Sequence, residues 1–304
     1  MPKNAPPKVS IGVVTYNHRE FITQCLDSIR LQDYPNVEVI VSDDASTDDT
    51  CAVVRAYMQK HPGFIKQFHA HKKNLGIARH CNFVLEKLNG DYVQTFAGDD
   101  TMLPGKIAAQ VSALQANPQA SLCFTNTEWF WSESGRKICN HFGLLQRPST
   151  NLADIIADCT VPTPSILING KWLGNTRYKP QLKYVNDFYF IVELMLKAPP
   201  IYLPMVTVRY RKHKGGITLQ HYFYEDRIRL LEMFRRTLPP QYAPSIRRYG
   251  HIAQYAKIMT LLQAGKKREA LKAIPSILPV VLTSPKWAVR FGAIMIGFMK
   301  ATRV

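Results

Sequence analysis

Apolar and polar stretches alternate along the chain in a way that predicts strands and helices in regular succession. Val9–Thr15 (VSIGVVT) is a β-branched run of strand length, and apolar residues at Phe21, Ile22, Cys25, Leu26 and Ile29 then form a helical stripe over 20–30. After Pro35-Asn36, residues 37–42 read as a second buried strand, 50–60 as a helix stopped by His61-Pro62-Gly63, and 65–68 as a weaker third strand. A helix over 77–88 closes at Asn89-Gly90, a strand ending at Phe96 leads into the turn Ala97-Gly98, and a helix over 105–117 precedes a strand over 121–125. Strands and helices at this spacing predict βαβ units with right-handed crossovers, hence a parallel sheet.

Beyond Thr127 the pattern loosens. Residues 129–148 are aromatic and basic and read as a loop or hairpin; Asn151 and Asp154 open a short helix to Cys159. A strand over 165–168 follows the proline-rich Val161-Pro162-Thr163-Pro164, the apolar run 188–196 reads as a buried helix, and 205–210 as a strand. From His221 the chain reads as helical to its end, with stripes over 222–238 and 245–264 broken by Arg235-Arg236 and Arg247-Arg248. Two apolar runs close it, 273–282 and 287–299, both interrupted and short of the ~18 residues a spanning helix needs. They suit an amphipathic interfacial role or simple packing with their cations in water. No internal repeat is apparent.

Charge divides the chain in two. Of a formal net charge of +17, most lies late: from Met205 onward 19 Lys and Arg face 4 Asp and Glu, whereas the earlier residues are near balance. A basic appendage can face an anionic bilayer, phosphorylated ligands or nucleic acid. Nucleic acid is disfavoured, because no reader motif is present and the aromatics are not interleaved with the basic runs. With 46% hydrophobic and 20% charged residues the chain can bury a core without staples. Its six cysteines form no Cys-x-x-Cys pair and read as reduced core residues. The polar, proline-rich N-terminus has no secretory character, which predicts a cytoplasmic location.

The candidate chemistry is acidic and sits at strand ends. Asp99 and Asp100 follow one strand, and adjacent carboxylates persist when a cation or a ligand hydroxyl holds them. A divalent ion bridging Asp100 to a diphosphate is one reading; an Asp-rich turn before a helix that Pro104 helps to start is the other. Asp43 and Asp44 end the second strand, ahead of an expected N-cap at Ser46 or Thr47 with Asp48 and Asp49 in the first turn. The carboxyl edge of an open α/β sheet is where ligands bind. A phospho-receiver is disfavoured, since the pairs end the second and fourth strands and the chain is too long.

Taken in order, Val9 to Asn17 (VSIGVVTYN), Val39 to Asp48 (VIVSDDASTD), Asn74-x-Gly76-x-x-Arg79 and Gly98-Asp99-Asp100 resemble the family 2 glycosyltransferases of the GT-A fold, over roughly the first 130 residues and more weakly to about residue 218. The resemblance implies an α/β, Rossmann-like GT-A domain at 1–218 with a mostly parallel mixed sheet, its nucleotide-binding half at 1–127 and acceptor half at 128–218. A basic α-helical region at 219–304 would follow. It implies inverting, metal-assisted transfer from a nucleotide-diphospho-sugar. Thr15, Tyr16 and Asn17 would lie against the nucleoside, Asp44 beside Asp43 would accept from the base, Arg79 would sit near the nucleotide, Asp99 on the ribose and Asp100 on Mg or Mn. A carboxylate can accept a pyrimidine ring N–H, so UDP- and dTDP-sugars both suit Asp44.

Asp187, in Asn186-Asp187, falls where the family carries its general base; it could equally be a first-turn acid of the helix that follows. Tyr210-Arg211-Lys212-His213 matches a basic loop, implying Arg211 on the diphosphate and His213 as a metal ligand; an exposed basic hairpin tip is the plainer reading. Trp129 and Trp131 could stack on a sugar or lie in the core. The sequence departs from the family at Ala97, where another Asp is common, and at Asn186, where Glu is. These departures favour the alternative of a catalytically weak or inactive nucleotide-sugar-binding or interaction protein. The leading expectation is an enzyme of cell-surface polysaccharide, lipopolysaccharide or glycolipid synthesis. It would act on a glycan or lipid-linked acceptor, in the cytoplasm or peripherally on the inner face of the membrane.

Overall fold

In a computed structural model the described residues are 5–143, 146–217, 223–282 and 285–300. They fall into two units, one of residues 1–141 with Val161–Lys212, the other of Phe142–Thr160 with His213–Val304.

The β-branched run Val9–Thr15 becomes β1 of the first unit, flanked in parallel by β2 (Val37–Asp43) and β4 (Tyr92–Ala97), with β3 (Ile65–Ala70) outside β2. Helices α1 (Ile22–Arg30), α2 (Thr50–Lys60) and α3 (Ile77–Leu85) make the crossovers. The short β5 (Thr101–Met102), α4 (Lys106–Ala116), β6 (Leu122–Trp131) and β7 (Lys137–Asn140) follow. After α5 (Leu152–Asp158) of the second unit come β8 (Leu167–Asn169), α6 (Gly170–Leu173), α7 (Asn186–Lys197) and β9 (Ile201–Lys212). The nine-stranded sheet runs β3-β2-β1-β4-β8-β6-β9-β5, with β7 on β6. It is mixed: β8 is antiparallel to β4 and β6, while β6 and β9 are parallel.

This order fixes where a ligand can bind. The chain moves outward from β1 to β2 to β3, then returns to lay β4 on the other side of β1. Loops leaving β1 and β4 therefore diverge and open a crevice at the carboxyl ends of the strands. The core beneath it joins Val9, Ile11 and Val13 of β1 to Ile22, Cys25 and Leu26 of α1, all fully buried. On the other face α3 packs so close that a Cβ on Gly12 would stand 2.1 Å from Val84 Cγ1, so only glycine fits. Helix α7 is buried nearly all round, and Tyr178 stacks on its Phe190 at 4.3 Å between centroids.

One strand outruns its sequence signal and one helix takes another cap. Strand β6 continues to Trp131 because it pairs with β9 as far as Trp131 opposite Lys212, and Thr125 and Thr207 share a hydroxyl hydrogen bond of 2.5 Å inside the sheet. Buried polar residues of this kind break the apolar alternation on which the shorter strand was read. Helix α2 is capped at Asp49 rather than at Ser46 or Thr47; the Asp48 carboxylate accepts from the Thr50 backbone, and the Ser46 hydroxyl is engaged with Asp43 and Asn17.

Lys106 is buried completely, its ammonium nitrogen 2.6 Å from Gln94 Oε1 and 2.7 Å from Gln110 Oε1. Burial pulls its pKa down to about 7. A neutral amine has two N–H donors, and the two glutamines accept both. Unfolded, the same lysine keeps its proton to about pH 10. From pH 7 upward the unfolded chain therefore holds the extra proton, and stability from this group rises with pH, by at most about 1.4 kcal/mol per pH unit. Chemical denaturation at pH 7, 8 and 9 should show that rise in the wild type and its loss in Lys106→Met; parallel curves would refute it.

The second unit is helical, with helices at Tyr224–Thr237, Ala243–Gln263, Lys267–Ala273, Leu278–Val281 and Pro285–Lys300 beside α5. Leu230, Phe234, Tyr249 and Ala253 are buried, and Phe234 meets the Tyr249 ring edge-on at 5.8 Å where the first two of these helices pack together. The expected boundary at residues 218 and 219, and Tyr222, lie outside the described residues. Among the described residues no helix is long and apolar enough to cross a membrane.

Candidate functional site

The crevice is built from three chain segments at the carboxyl edge. Strand β1 ends at Thr15, whose carbonyl accepts from Asp44 N at 2.9 Å, while Val14 O accepts from Gly98 N at 2.9 Å on the other side. The acidic ends of β2 and β4 therefore flank one strand end, about 10 Å apart by two strand spacings. Gly98 is needed there: a Cβ would lie 3.0 Å from His18 Nδ1 and 3.1 Å from Thr15 Cβ.

Around this glycine the structure gathers polar atoms with no protein partner. Thr15 Oγ1, His18 Nδ1 and Asp100 Oδ2 are all buried without a hydrogen bond. His18 Nε2 lies 3.8 Å from Asp99 Oδ2. Asp100 is 1% exposed; its Oδ1 accepts from Arg211 N at 2.9 Å. Burial and the neighbouring Asp99 push the Asp100 carboxyl well above the usual carboxylate range, against the pull of Arg211.

Arg211 and Lys212 are the last residues of β9, not part of the basic loop that the resemblance implies. The Arg211 guanidinium lies between the Phe21 and Phe130 rings, 4.8 Å from each centroid, and donates to Asp99 O, Gln24 Oε1 and Ser132 Oγ. It braces the acidic turn from below. Lys212 stands over the Trp129 ring at 4.3 Å, and burial pulls its pKa down to about 8 against the opposing field of Asp100. Trp129 thus carries a cation within the site, and Trp131 is exposed at the strand end. His213 belongs to the second unit.

The β2 end faces the opposite side of the edge. Asp43 accepts from Ser46 N at 2.8 Å and shapes the loop before α2. Asp44 accepts from Leu75 N at 2.7 Å and Gly76 N at 3.1 Å, tying down the loop before α3. Asn17, at φ 56°, receives Thr47 N on its side-chain oxygen at 2.8 Å and joins β1 to the same region. Tyr16 and Arg79 are exposed. Arg79 lines a cavity of about 140 Å³ together with Leu75, Gly76, Pro180, Leu182 and Lys183. Beneath Asp44, Ser42 Oγ lies 2.9 Å from His80 Nε2 and 3.2 Å from His71 Nε2, and burial lowers the His80 pKa.

Asp187 stands in the first turn of α7, where its Oδ2 accepts from the Thr163 hydroxyl at 2.7 Å. The buried Cys81 thiol is pushed up to about 12 by burial, with Asp187 and Asp44 adding to the rise. Asn186 is buried and donates to Leu182 O and Lys183 O, bracing the entry to α7. The structure thus sets the acidic ends of β4, with Asp99 and Asp100, and of β2, with Asp43 and Asp44, on either side of the β1 end. Sequence reasoning missed His18, Lys212 and Thr163. His18 directly follows the Thr15-Tyr16-Asn17 motif and Lys212 lies within the basic quartet, so position alone could have flagged both.

A mixed α/β sheet with acidic strand ends at its switch point is a GT-A-like architecture. The profile of glycosyl transferase family 2 matches residues 10–167. The chain belongs to that family. An uncharacterized protein of Mycobacterium tuberculosis is 28% identical over 276 residues, covering 86% of this chain and 71% of that protein. A Campylobacter jejuni GalNAc(5)-diNAcBac-PP-undecaprenol beta-1,3-glucosyltransferase is 35% identical over 102 residues, 34% of this chain and 33% of that one. Among solved structures, residues 1–349 of S. aureus TarS in complex with UDP-GlcNAc match with a TM-score of 0.61 at 18% identity, covering 95% of this chain and 92% of that one. Against a longer TarS chain the coverage of that chain is 53%. The mannosyltransferase PcManGT from Pyrobaculum calidifontis, in complex with GDP-Man and Mn2+, matches with a TM-score of 0.61 at 20% identity, covering 98% of this chain and 88% of that one. At these identities the likeness speaks for the fold.

Proposed function

We propose that the protein transfers a sugar, with inversion, from a UDP- or dTDP-sugar to a hydroxyl of a glycan or lipid-linked acceptor in cell-surface polysaccharide synthesis. The carrying observation is the set of three orphaned buried atoms, Thr15 Oγ1, His18 Nδ1 and Asp100 Oδ2, around the Gly98 turn. Leaving such groups dry and unpaired is costly, so a bound polar ligand is their natural partner.

A divalent cation fits this donor set. Among the described residues no three His, Cys, Asp or Glu side chains form a metal cluster. Mg or Mn, however, binds through one or two carboxylates plus substrate phosphates and water, and Asp100 Oδ2 offers one free carboxylate oxygen. Asp100 would hold the ion; when bound, it supplies positive charge to the departing diphosphate.

The chain's own residues do the rest. Asp44 retains lone pairs beyond the two used on Leu75 and Gly76 and can accept a base N–H. Thr15, Tyr16, Asn17, Asp43 and Arg79 frame the nucleoside side, Asp99 and His18 the ribose and phosphate side. Lys212 adds a cation near the diphosphate, while Arg211 holds the acidic turn in shape. Asp187 takes the proton of the acceptor hydroxyl as its oxygen bonds to the anomeric carbon and the bond to the diphosphate breaks. Asn186 at the position of a common Glu serves the helix entry and leaves this role intact. The undecaprenol-linked substrate in the name of the Campylobacter relative supports a lipid-linked acceptor, and with it a site on the inner membrane face.

The test is thermal melting with a panel of UDP-, dTDP- and GDP-sugars, with Mn2+ or with a chelator. A UDP- or dTDP-sugar at 100 times its Kd should stabilise the protein by about 2.7 kcal/mol, and only with metal. No shift from any nucleotide-sugar, or an equal shift in chelator, would overturn the reading.

A further inference from the structure

The helical unit gathers cations that the transferase reading does not use. Arg227, Arg248, Lys286 and Arg290 come from three helices to the end of α5 at Asp158 and Cys159. Arg248 Nη2 holds Asp158 at 3.1 Å, and Arg227 Nη1 donates to Tyr249 Oη at 3.2 Å. Arg290 lies over the Trp287 ring at 4.7 Å and the Tyr255 ring at 5.5 Å. Its Nη1 is nevertheless buried with no hydrogen-bond partner. Burial lowers the pKa of both Lys286 and Arg290, and each also feels a second cation, Arg290 and Arg227 respectively. The carboxylate these cations share is Asp158, already taken by Arg248.

A buried guanidinium nitrogen without an acceptor, in a cluster where positive charge exceeds negative, calls for an anion with several acceptor oxygens. The same stretch of chain keeps large apolar side chains in water: Leu278, Leu282, Val289 and Ile296 are exposed. Cations beside exposed apolar residues match the boundary between headgroup and acyl chains. A soluble phosphate would need the cations but not their apolar flank.

We propose that Arg290, with Lys286, Arg227 and the half-exposed Arg248, forms a binding site for the phosphate group of a membrane lipid, flanked by the apolar residues of 278–296. The site is a defined cluster of donors, distinct from diffuse attraction of a basic surface.

The full chain, without donor, is floated on vesicles of phosphatidylcholine alone and with phosphatidylglycerol or phosphatidic acid. Its melting is followed in parallel with inorganic phosphate. Binding is expected only to the anionic vesicles. Arg290→Gln should weaken it about 10- to 100-fold, as loss of a charge-assisted hydrogen bond does. Lys266→Gln, an exposed cation elsewhere in the unit, should weaken it by no more than about fivefold. Phosphate should raise the melting temperature of the wild type and not of Arg290→Gln. If that variant fails to fold, Lys286→Gln replaces it with the same expectation. Equal losses in Arg290→Gln and Lys266→Gln would mean diffuse attraction and overturn the site. Melting shifts with phosphate but no vesicle binding would mean a soluble phosphate ligand and overturn the lipid assignment; so would no response to either. None of these measurements involves sugar transfer, so their failure leaves the donor test untouched.

Discussion

Replacing Asp187 by asparagine is expected to lower kcat by about 10² to 10⁴-fold while leaving the donor KM within a few-fold of the wild type. The amide keeps the shape of the carboxylate and an acceptor for the Thr163 hydroxyl, which lies 2.7 Å away. It cannot take a proton from an acceptor hydroxyl, so the loss appears in the chemical step rather than in binding. A first-turn acid serving only the helix would give the opposite result, a drop in melting temperature of a few degrees with kcat preserved. A companion variant separates the two further. The Thr163 hydroxyl holds the Asp187 carboxylate in place, so Thr163→Val should lower kcat about tenfold with the donor KM unchanged. An unchanged kcat in Thr163→Val would mean that this contact does not position the base.

The βαβ half of the chain was legible because its strands are continuous apolar runs and its helices carry clean stripes. Val9–Thr15 and Thr50–Lys60 were readable residue by residue. The second half was harder, since β6 and β9 owe their length to each other, and Asn126, Thr127 and Glu128 join β6 only by pairing with Val206, Val208 and Arg209 of β9. The acidic strand ends were visible, but their present engagements were not. Whether Asp44 is free or tied to Leu75 and Gly76 depends on a loop 31 residues away in sequence. Arg211 read as part of a basic loop because the Tyr-Arg-Lys-His quartet resembles one; Phe21 and Phe130 hold it by their ring faces, which a pattern of hydrophobic residues does not reveal. His18 and Thr163 are single polar residues with no periodic signal at all.

Asp100→Asn is expected to abolish the metal-dependent response to a nucleotide-sugar while leaving the ligand-free protein no less stable at neutral pH. The two effects share one cause. Asp100 is almost wholly buried with Oδ2 unpaired, and its carboxyl sits well above the usual range. The folded protein therefore holds this proton at pH values where the unfolded chain has lost it. Stability from Asp100 is greatest below the unfolded pKa, near 4, and is lost as pH rises through the folded value. Asparagine has no proton to lose, so melting curves of the two proteins without metal should converge in acid and separate toward neutrality, with the wild type falling. Adding Mn2+ and a UDP- or dTDP-sugar should lift the wild type by about 2.7 kcal/mol at 100 times Kd and leave Asp100→Asn unmoved. A ligand meets the unpaired oxygen in the wild type, which ties the instability of the turn to its use. If the ligand-free variant melts lower than the wild type at neutral pH, or still responds to Mn2+ with donor, Asp100 is a structural acid and the cation must be held elsewhere.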